Sequence, residues 1–215
     1  MAVKAISISN MLKKKHSTFT FAPPFSLAFT ETPSDSGIWL IWGKQKNGKT
    51  SFALMLAKYL ASLTKVLYIS AEEGTDKEFV DACRRSGVTE NDKNLHFLEY
   101  TPLEVVRSIL KRRNAPYVVF FDNLTVYRDD FKQNALQNLK NEFPEKLFIF
   151  LSHEDRNEPS PSVARNAIKL AKVIVHIKGL KALVSGRGEV GGEYQIDEAK
   201  AKLYWGDSNE AKENE

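Results

Sequence analysis

Short continuous apolar runs alternate along most of this chain with stretches whose apolar residues recur at helical spacing. The continuous runs predict buried strands, and the periodic stretches predict helices. We expect strands at 38–42, 66–70, 95–99, 117–121 and 147–152, and helices near 50–63, 75–86, 102–113 and 129–142. This alternation is typical of parallel βαβ units, in which a helix returns the chain to the same end of the sheet.

The pattern changes after residue 152. A polar loop at 154–162 contains two prolines and leads into a helix-like stretch at 163–171. Short apolar runs separated by glycines then predict strands at 173–178, 181–185, 193–196 and 202–205. The sequence therefore predicts a three-layer α/β fold, with a mostly parallel twisted sheet, helices on both faces and a C-terminal antiparallel β extension.

The length of 215 residues is typical of one α/β domain with modest extensions. We expect residues 1–36, with their aromatic and proline-rich stretches, to form a lead segment that packs on the core or on a neighbouring subunit. Residues 37–206 would form the core. The polar, acidic residues 207–215 are typical of a disordered tail.

One short stretch carries the strongest chemical signal. Residues 43–50 fit the Walker A pattern G-x-x-x-x-G-K-[ST] at every fixed position, between a predicted strand and a predicted helix. Gly43 and Gly48 allow the backbone to turn tightly and to point N–H groups at an anion, and the following helix presents its positive dipole end. Lys49 would neutralise β- and γ-phosphate charge, and the Thr50 hydroxyl would ligate Mg²⁺. We expect the bound phosphates to contact Gly43, Lys44, Gln45, Lys46, Asn47, Gly48, Lys49, Thr50 and Ser51.

Composition limits the class of protein. The formal net charge is +4, a mild basic excess that permits a nucleic-acid partner without requiring one. Cys83 is the chain's only cysteine, so no internal disulfide can form, which fits a reducing cytoplasm. No apolar run approaches the roughly 20 residues that a membrane helix needs. We therefore expect a cytoplasmic protein with no membrane partner.

Three more candidates follow predicted strands, at the end of the sheet where α/β proteins bind ligands. Asp122 ends an apolar run and would hold Mg²⁺, although a strand-end Asp can also cap a turn. Glu72 and Glu73 follow another run, and one of them could polarise the attacking water; both could instead start the next helix. His153 follows a third run and could sense the γ-phosphate, or be structural.

These residues resemble a family. The phosphate loop, the strand before the Glu pair, the Asp122 strand and the His153 strand occur in the order and spacing of the RecA-like ATPases, over roughly residues 37–205. That family includes recombinases, RadA-type proteins, replicative helicases and KaiC-type ATPases, and this compact chain is most similar to the small single-domain forms of phages and bacteria. Residues 67–73 resemble the RadA-type catalytic-glutamate strand, which implies Glu72 as general base. The resemblance also implies ATP, Mg²⁺ and a homo-oligomer.

A later β-hairpin in this family often carries a Lys-x-Arg pair that reaches the nucleotide of a neighbouring subunit. Arg187 occupies the corresponding region here, but Ser185 stands where the first cation is expected. Arg187 could act in trans or be an ordinary hairpin-turn arginine. The missing lysine weakens the case for coupled hydrolysis in a ring or filament.

The resemblance further implies single-stranded DNA as a possible partner. Family members bind it with the loops after the strands that end in Asp122 and His153. Neither loop has the basic charge interleaved with aromatic residues that a single-strand groove needs, because acids accompany the arginines in both. DNA binding is therefore left open by the residues themselves.

Three functions remain. The leading one is a Mg²⁺-dependent, ATP-binding and ATP-hydrolysing RecA-like ATPase in DNA replication, recombination or repair. A nucleotide-gated adaptor or loader with little hydrolysis is favoured by Ser185 and the short loops. A P-loop kinase acting on a small substrate is the third, although no arginine-rich lid stands out in the sequence.

Overall fold

The computed structural model describes residues 5–187 and 191–205. Within those ranges, nine strands form one sheet in the order β3–β2–β4–β5–β1–β7–β8–β9, with β6 paired to the end of β5. The strands are β1 Gly37–Gly43, β2 Val66–Ser70, β3 Leu95–Glu99, β4 Val118–Asp122, β5 Leu147–Asp155, β6 Glu158–Ser160, β7 Val173–Lys178, β8 Lys181–Gly186 and β9 Gly191–Gln195.

The sheet is parallel from β3 to β7, and β8 and β9 extend it antiparallel. The predicted fold class, including the C-terminal antiparallel extension, is therefore confirmed. The helices are α1 Ile8–Leu12, α2 Phe25–Phe29, α3 Lys49–Leu63, α4 Lys77–Arg85, α5 Leu103–Leu110, α6 Ala135–Glu142, α7 Ser162–Leu170 and α8 Glu198–Trp205.

Apolar residues fill both faces of the sheet. Along β1, Trp39 and Ile41 face a core that α2, α3 and α4 cover, whereas Ile38 and Leu40 face a second core beneath α5, α6 and α7. Successive side chains of a strand point to opposite faces, so a strand covered on both sides must be apolar at every position. This explains why the parallel strands read as continuous apolar runs.

The lead segment packs partly on the core. Phe21 and Phe25 are buried against Trp39 and Tyr59, and the Tyr59 hydroxyl accepts a hydrogen bond from the Ala22 amide at 2.6 Å. Helix α1 has no buried residue. The division at residue 36 stays a prediction, and the predicted tail at 207–215 lies outside the described residues.

Two predicted elements are wrong. Residues 202–205 belong to helix α8 rather than to a strand; Asp197 precedes this helix, and its Oδ1 accepts a hydrogen bond from the Lys200 amide at 3.1 Å. The polar loop at 154–162 is instead a β-hairpin, because β5 continues to Asp155 and pairs with β6. Arg156 and Asn157 form its tip with φ of 51° and 63°, the left-handed backbone that a tight hairpin turn requires.

Helix bounds also differ from expectation. Helix α5 ends at Leu110 rather than at 113, and α6 begins at Ala135 rather than at 129. A short 3₁₀ turn, Val126–Arg128, precedes α6, and Gln133 has a φ of 53°, so the chain between them does not continue as a helix.

Candidate active site

The predicted chemistry collects at one edge of the sheet, where the parallel strands end. Gly43 of β1 lies in register with His153 of β5, and Ser70 of β2 lies in register with Asp122 of β4. Because β4 and β5 are neighbours, the ends of all four strands lie side by side. We call this the carboxyl edge, and it carries every predicted site residue except Arg187.

The phosphate loop is shaped by close contacts to the end of β7 and to the turn between β7 and β8. A Cβ added at Gly43 would lie 2.3 Å from the Ile177 carbonyl oxygen, which leaves room for no side chain. Gly48 has a φ of 95° and caps α3, whose first residue is Lys49. Asn47 Oδ1 accepts a hydrogen bond from the Gly179 amide at 3.0 Å, so the loop is tied to the same turn.

Lys49 is buried at the base of this loop. Its Nζ donates to the Lys44 carbonyl oxygen at 2.9 Å. Burial lowers the pKa of Lys49, while the carboxylates of Asp122, Glu72 and Glu154 raise it. A buried ammonium group at the base of a phosphate loop can stabilise phosphate charge, and a divalent cation would offset the carboxylates that face it.

Asp122 is the buried carboxylate of the site. Its Oδ2 accepts a hydrogen bond from the Tyr68 hydroxyl at 2.6 Å. Burial raises the pKa of Asp122 to about 7, with the Tyr68 hydrogen bond opposing the shift and the nearby Glu72 and Glu73 adding to it. A nearby divalent cation would favour the ionised form of such a group, so its surroundings fit a metal-associated role.

Glu72 is held by two side chains from neighbouring strands. The Asn123 side-chain amide donates to Glu72 Oε2 and lies 3.1 Å from His153 Nε2. His153 Nε2 is itself 3.3 Å from Glu72 Oε2. This hydrogen bond and the charges of His153 and Lys49 lower the pKa of Glu72 against the opposing effect of burial. The carboxylate is therefore kept ionised and oriented.

The Glu73 carboxyl group has a different environment from that of Glu72. Burial and the neighbouring Glu72 raise its pKa, and Arg85 opposes the shift. Of the two carboxylates that the sequence left as alternatives, Glu72 is the one in contact with Asn123 and His153. The arrangement favours Glu72 as the group that would act on water.

Asn123 is a site residue that the sequence reasoning missed. It is 1 % exposed, and its Oδ1 accepts from the Thr125 amide at 2.8 Å, which fixes the side chain. Its signal in the sequence is its position directly after Asp122, the last residue of an apolar strand. Polar residues at consecutive strand-end positions can both face a ligand edge.

A second missed group lies beside the phosphate loop. The Glu154 side chain is only 5 % exposed and lies 2.9 Å from His176 Nε2, with the Lys44 Nζ at 3.9 Å. The His176 ring stacks on Trp42 with a centroid distance of 3.9 Å. Glu154 thus adds a carboxylate to the carboxyl edge from a segment that the sequence predicted as a loop.

Arg187 lies at the opposite end of the sheet. Its backbone amide bonds the Lys172 carbonyl oxygen at 3.0 Å, and a guanidinium nitrogen donates to the Lys169 carbonyl oxygen at 2.9 Å. Ser185, also near this end, pairs with Ile174. Arg187 is therefore remote from the phosphate loop of its own chain, and its action on the loop of another chain stays a prediction.

Two observations bear on partners. After β4, Asp129 pairs with both Arg128 and Lys132, at 3.8 and 2.9 Å, so acidic charge accompanies the basic side chains in that loop. DNA binding stays a prediction. Across the described ranges, no helix combines the length and the apolar character needed to cross a membrane.

Comparisons with known proteins give a match only at the level of structure. No protein-family model matches the chain, and neither does any curated protein sequence. The chain is similar to flagellar accessory protein FlaH from Methanocaldococcus jannaschii, with a TM-score of 0.61 and 15% identity over 85% of this chain and 96% of that one.

Two further solved structures are similar. KaiC-like protein PH0186 from Pyrococcus horikoshii OT3 has a TM-score of 0.53 and 13% identity over 85% of this chain and 92% of that one. ATP synthase subunit NeqB from Nanoarcheaum equitans has a TM-score of 0.53 and 12% identity over 77% of this chain and 51% of that one. At these identities the likeness concerns the fold. With the strand order described above, it shows a RecA-like α/β fold.

Proposed function

We propose that this chain binds Mg·ATP at the carboxyl edge and hydrolyses it, as a RecA-like ATPase that works as a homo-oligomer in DNA replication, recombination or repair. The observation that carries the hydrolytic part is the carboxylate of Glu72, held by Asn123 and His153 at the edge that also holds Lys49 and Asp122. The DNA role and the oligomer rest on the family resemblance.

Each residue has a part in the proposed reaction. Lys49 and the loop amides bind the phosphate chain, and Thr50 with Asp122 would hold Mg²⁺, which would neutralise phosphate charge. Glu72 orients the attacking water and accepts its proton, while Asn123 keeps the carboxylate in place. His153 contacts Glu72 and lies in register with Gly43, so it is positioned to respond to the terminal phosphate.

The decisive experiment compares Glu72→Gln with Glu73→Gln. We expect Glu72→Gln to lower Mg·ATP turnover by about 10²- to 10⁴-fold, the usual contribution of a general base, with ATP affinity within about threefold. Glu73→Gln is the matched control, and its turnover should stay within about threefold of wild type. Unchanged turnover in Glu72→Gln would remove Glu72 from this role.

Binding is tested separately by calorimetry with Mg·ATP. Wild type should release heat on binding, and Lys49→Ala should bind at least about tenfold more weakly, because a charge-assisted contact to phosphate is lost. Measuring phosphate release with and without single-stranded DNA tests the proposed partner. No effect of DNA on turnover or affinity would argue against the DNA role while leaving the ATPase proposal intact.

A nucleotide-gated adaptor with little hydrolysis is the second candidate, and the position of Arg187 favours it. Because Arg187 lies at the far end of β8, it cannot assist hydrolysis on its own chain's phosphate loop. A chain that lacked a suitable neighbour would bind ATP but hydrolyse it slowly. Tight Mg·ATP binding with turnover that is equally low in wild type and Glu72→Gln would support this function.

A further inference from the structure

A cavity of about 710 Å³ opens at the amino edge of the sheet, the end opposite the phosphate loop. Residues of the N-terminal segment form one wall. The other wall is formed by Lys172 and Val173, at the start of β7, and by Arg187, which follows β8. Five of its lining side chains carry hydroxyl groups and three are basic, namely His16, Lys172 and Arg187. Among the described residues that line it, none is a carboxylate.

Lys172 is the central cation of this cavity. It is half-buried, and its Nζ donates to Ser34 Oγ at 2.7 Å. Burial lowers its pKa, and the charges of Lys140 and Arg187 lower it further, while Asp35 opposes them. When cations repel one another at a partly buried site, a bound anion offsets the repulsion and stabilises their charged forms.

Asp35 does not neutralise this charge fully. It is 5 % exposed, and its Oδ2 accepts hydrogen bonds from the hydroxyls of Ser17 at 2.5 Å and Tyr117 at 2.9 Å. It is one carboxylate against the positive groups of Lys140, Lys172 and Arg187, so the groups that act on Lys172 leave a positive excess. Two of these cations, Lys172 and Arg187, line the cavity.

The cavity also presents ordered donors. Arg187 is held by hydrogen bonds from its backbone and its side chain to carbonyl oxygens, which fixes one side of the guanidinium. The hydroxyls of Thr18, Thr30 and Thr32 line the same space and have no side-chain hydrogen bond within the described part of the chain. Guanidinium, ammonium and hydroxyl groups around one opening are the donors that recognise phosphate oxygens.

We propose that this cavity is a second anion site, which takes the phosphate group or short phosphate chain of a small molecule from solution. It is separate from the phosphate loop, since it lies at the other edge of the sheet and shares no residue with it. A site of this kind would let a phosphorylated ligand act on the chain independently of ATP binding.

The test uses ¹⁵N-labelled protein in a Lys49→Ala background, which weakens the phosphate loop, with inorganic tripolyphosphate as the probe at physiological ionic strength. We expect saturable shifts of the Thr32, Ser34 and Arg187 amides. The amides of Asn47 and Gly48 report any residual binding at the phosphate loop. Adenosine, which lacks phosphate, should leave the cavity amides unmoved.

Two variants and a control decide the assignment. Lys172→Met keeps the aliphatic stem that packs near Gly37, and Arg187→Gln changes an exposed side chain, so both should fold. Each should weaken tripolyphosphate binding at the cavity at least about tenfold, because a charge-assisted contact is lost. Arg165→Gln, an exposed arginine outside the cavity, should bind within about threefold of the parent.

A second arm identifies the ligand more closely. This arm measures ATP binding to the cavity of the Lys49→Ala protein. If ATP binds no tighter than tripolyphosphate, the phosphate chain alone is recognised. If ATP binds much tighter, the nucleoside contributes to recognition as well. Cavity amides that never shift in this background would overturn the proposal. Shifts that persist unchanged in Lys172→Met and Arg187→Gln would also overturn it. Shifts that ATP induces only when Lys49 is intact would overturn it as well, because they would place the phosphate on the loop of another copy.

Discussion

At the carboxyl edge, one buried ammonium group, Lys49, faces the carboxylates of Asp122, Glu72 and Glu154, whereas at the amino edge Lys172 and Arg187 face hydroxyl groups and one buried carboxylate, Asp35. Carboxylates predominate among the charges that act on Lys49, whereas cations predominate among those that act on Lys172. Lys49 and Lys172 are both partly desolvated, so the charge of a ligand matters at each edge. The carboxyl edge suits a phosphate chain that carries a metal cation, and the amino edge suits a phosphate group alone.

The two edges are also built differently. Parallel strands end together, so single residues that follow each strand meet at the carboxyl edge without any further folding requirement. The amino-edge cavity requires residues 16–34 to fold back over the start of the sheet and β8 to return antiparallel. We therefore expect the carboxyl edge to be sensitive to backbone changes in single strands, and the amino edge to tolerate them better.

The largest effect should come from Gly43→Ala at the carboxyl edge. The new Cβ would lie 2.3 Å from the Ile177 carbonyl oxygen, so β1 and β7 would have to separate. Overpacking against backbone in a parallel pair should lower the free energy of unfolding by about 3 kcal/mol or more. Urea denaturation followed by circular dichroism measures this loss.

Gly191→Ala is the matched control for that change. A Cβ there would lie 3.7 Å from the Val184 carbonyl oxygen, which is an ordinary contact in an antiparallel pair. Its effect should stay within about 0.5 kcal/mol. Equal losses in the two variants would contradict the tight packing of the phosphate loop against β7.

Asn123→Ala should produce the next largest effect, on turnover. Asn123 is a positioning residue, since its amide joins Glu72 to His153. Releasing the Glu72 carboxylate should lower turnover by about 10- to 100-fold, with ATP affinity within about threefold, because the phosphate loop is untouched. Asn134→Ala, at an exposed position, is the control. A parallel loss of ATP affinity in Asn123→Ala would indicate a general structural defect instead.

Sequence reasoning reached much of the carboxyl edge because its parts are local. The β1 strand, the phosphate loop and α3 are adjacent in the chain. Asp122 and His153 directly follow apolar runs, and these runs can be recognised as strands in the sequence because both of their faces are buried. Asn123 was missed because its importance depends on contact with Glu72, a residue 51 positions away. No local pattern encodes such a contact.

The amino edge could not be predicted in the same way. Its cavity joins residues 16–34 to Lys172 and Arg187, which no motif connects. The wrong strand at 202–205 has a different cause. Its apolar run has only three residues and is compatible with a strand or a helix, and the Asp197 contact to the Lys200 amide favours the helix. The cavity thus depends on contacts between distant segments, whereas the start of α8 depends on a local contact three residues apart.

Tyr127→Phe tests the carboxyl edge through a buried hydroxyl. Tyr127 is fully buried; its hydroxyl donates to the Thr101 carbonyl oxygen at 2.6 Å and accepts from the Thr101 amide at 3.2 Å. Losing both bonds should lower the free energy of unfolding by about 1–3 kcal/mol near neutral pH. Tyr194→Phe, whose hydroxyl has no hydrogen bond within the described residues, should change it by less than about 0.5 kcal/mol.

The same variant has a predicted pH dependence. Burial raises the pKa of Tyr127 from 10.0 to about 12. Between these values the unfolded phenol ionises while the folded phenol keeps its proton, so the wild-type stability falls as the pH rises through this window. Tyr127→Phe lacks this titration, and its deficit relative to wild type should shrink between about pH 9 and pH 12. A deficit that stays constant would contradict the assigned burial effect.

Tyr117→Phe gives the smallest expected effect and probes the amino edge. Tyr117 is half-buried, and its hydroxyl donates to Asp35 Oδ2, which also accepts from Ser17. Because the carboxylate retains the Ser17 bond, the free energy of unfolding should fall by only about 0.5–1 kcal/mol, measured beside Tyr127→Phe in urea. Burial and the Asp35 hydrogen bond raise the pKa of Tyr117 to about 12, so this deficit should also shrink as the pH rises from 10 toward 12. If Tyr117→Phe lowered the free energy of unfolding as much as Tyr127→Phe does, the two edges would depend equally on single hydroxyl groups. The contrast between a carboxyl edge built from adjacent strand ends and a more tolerant amino edge would then no longer hold.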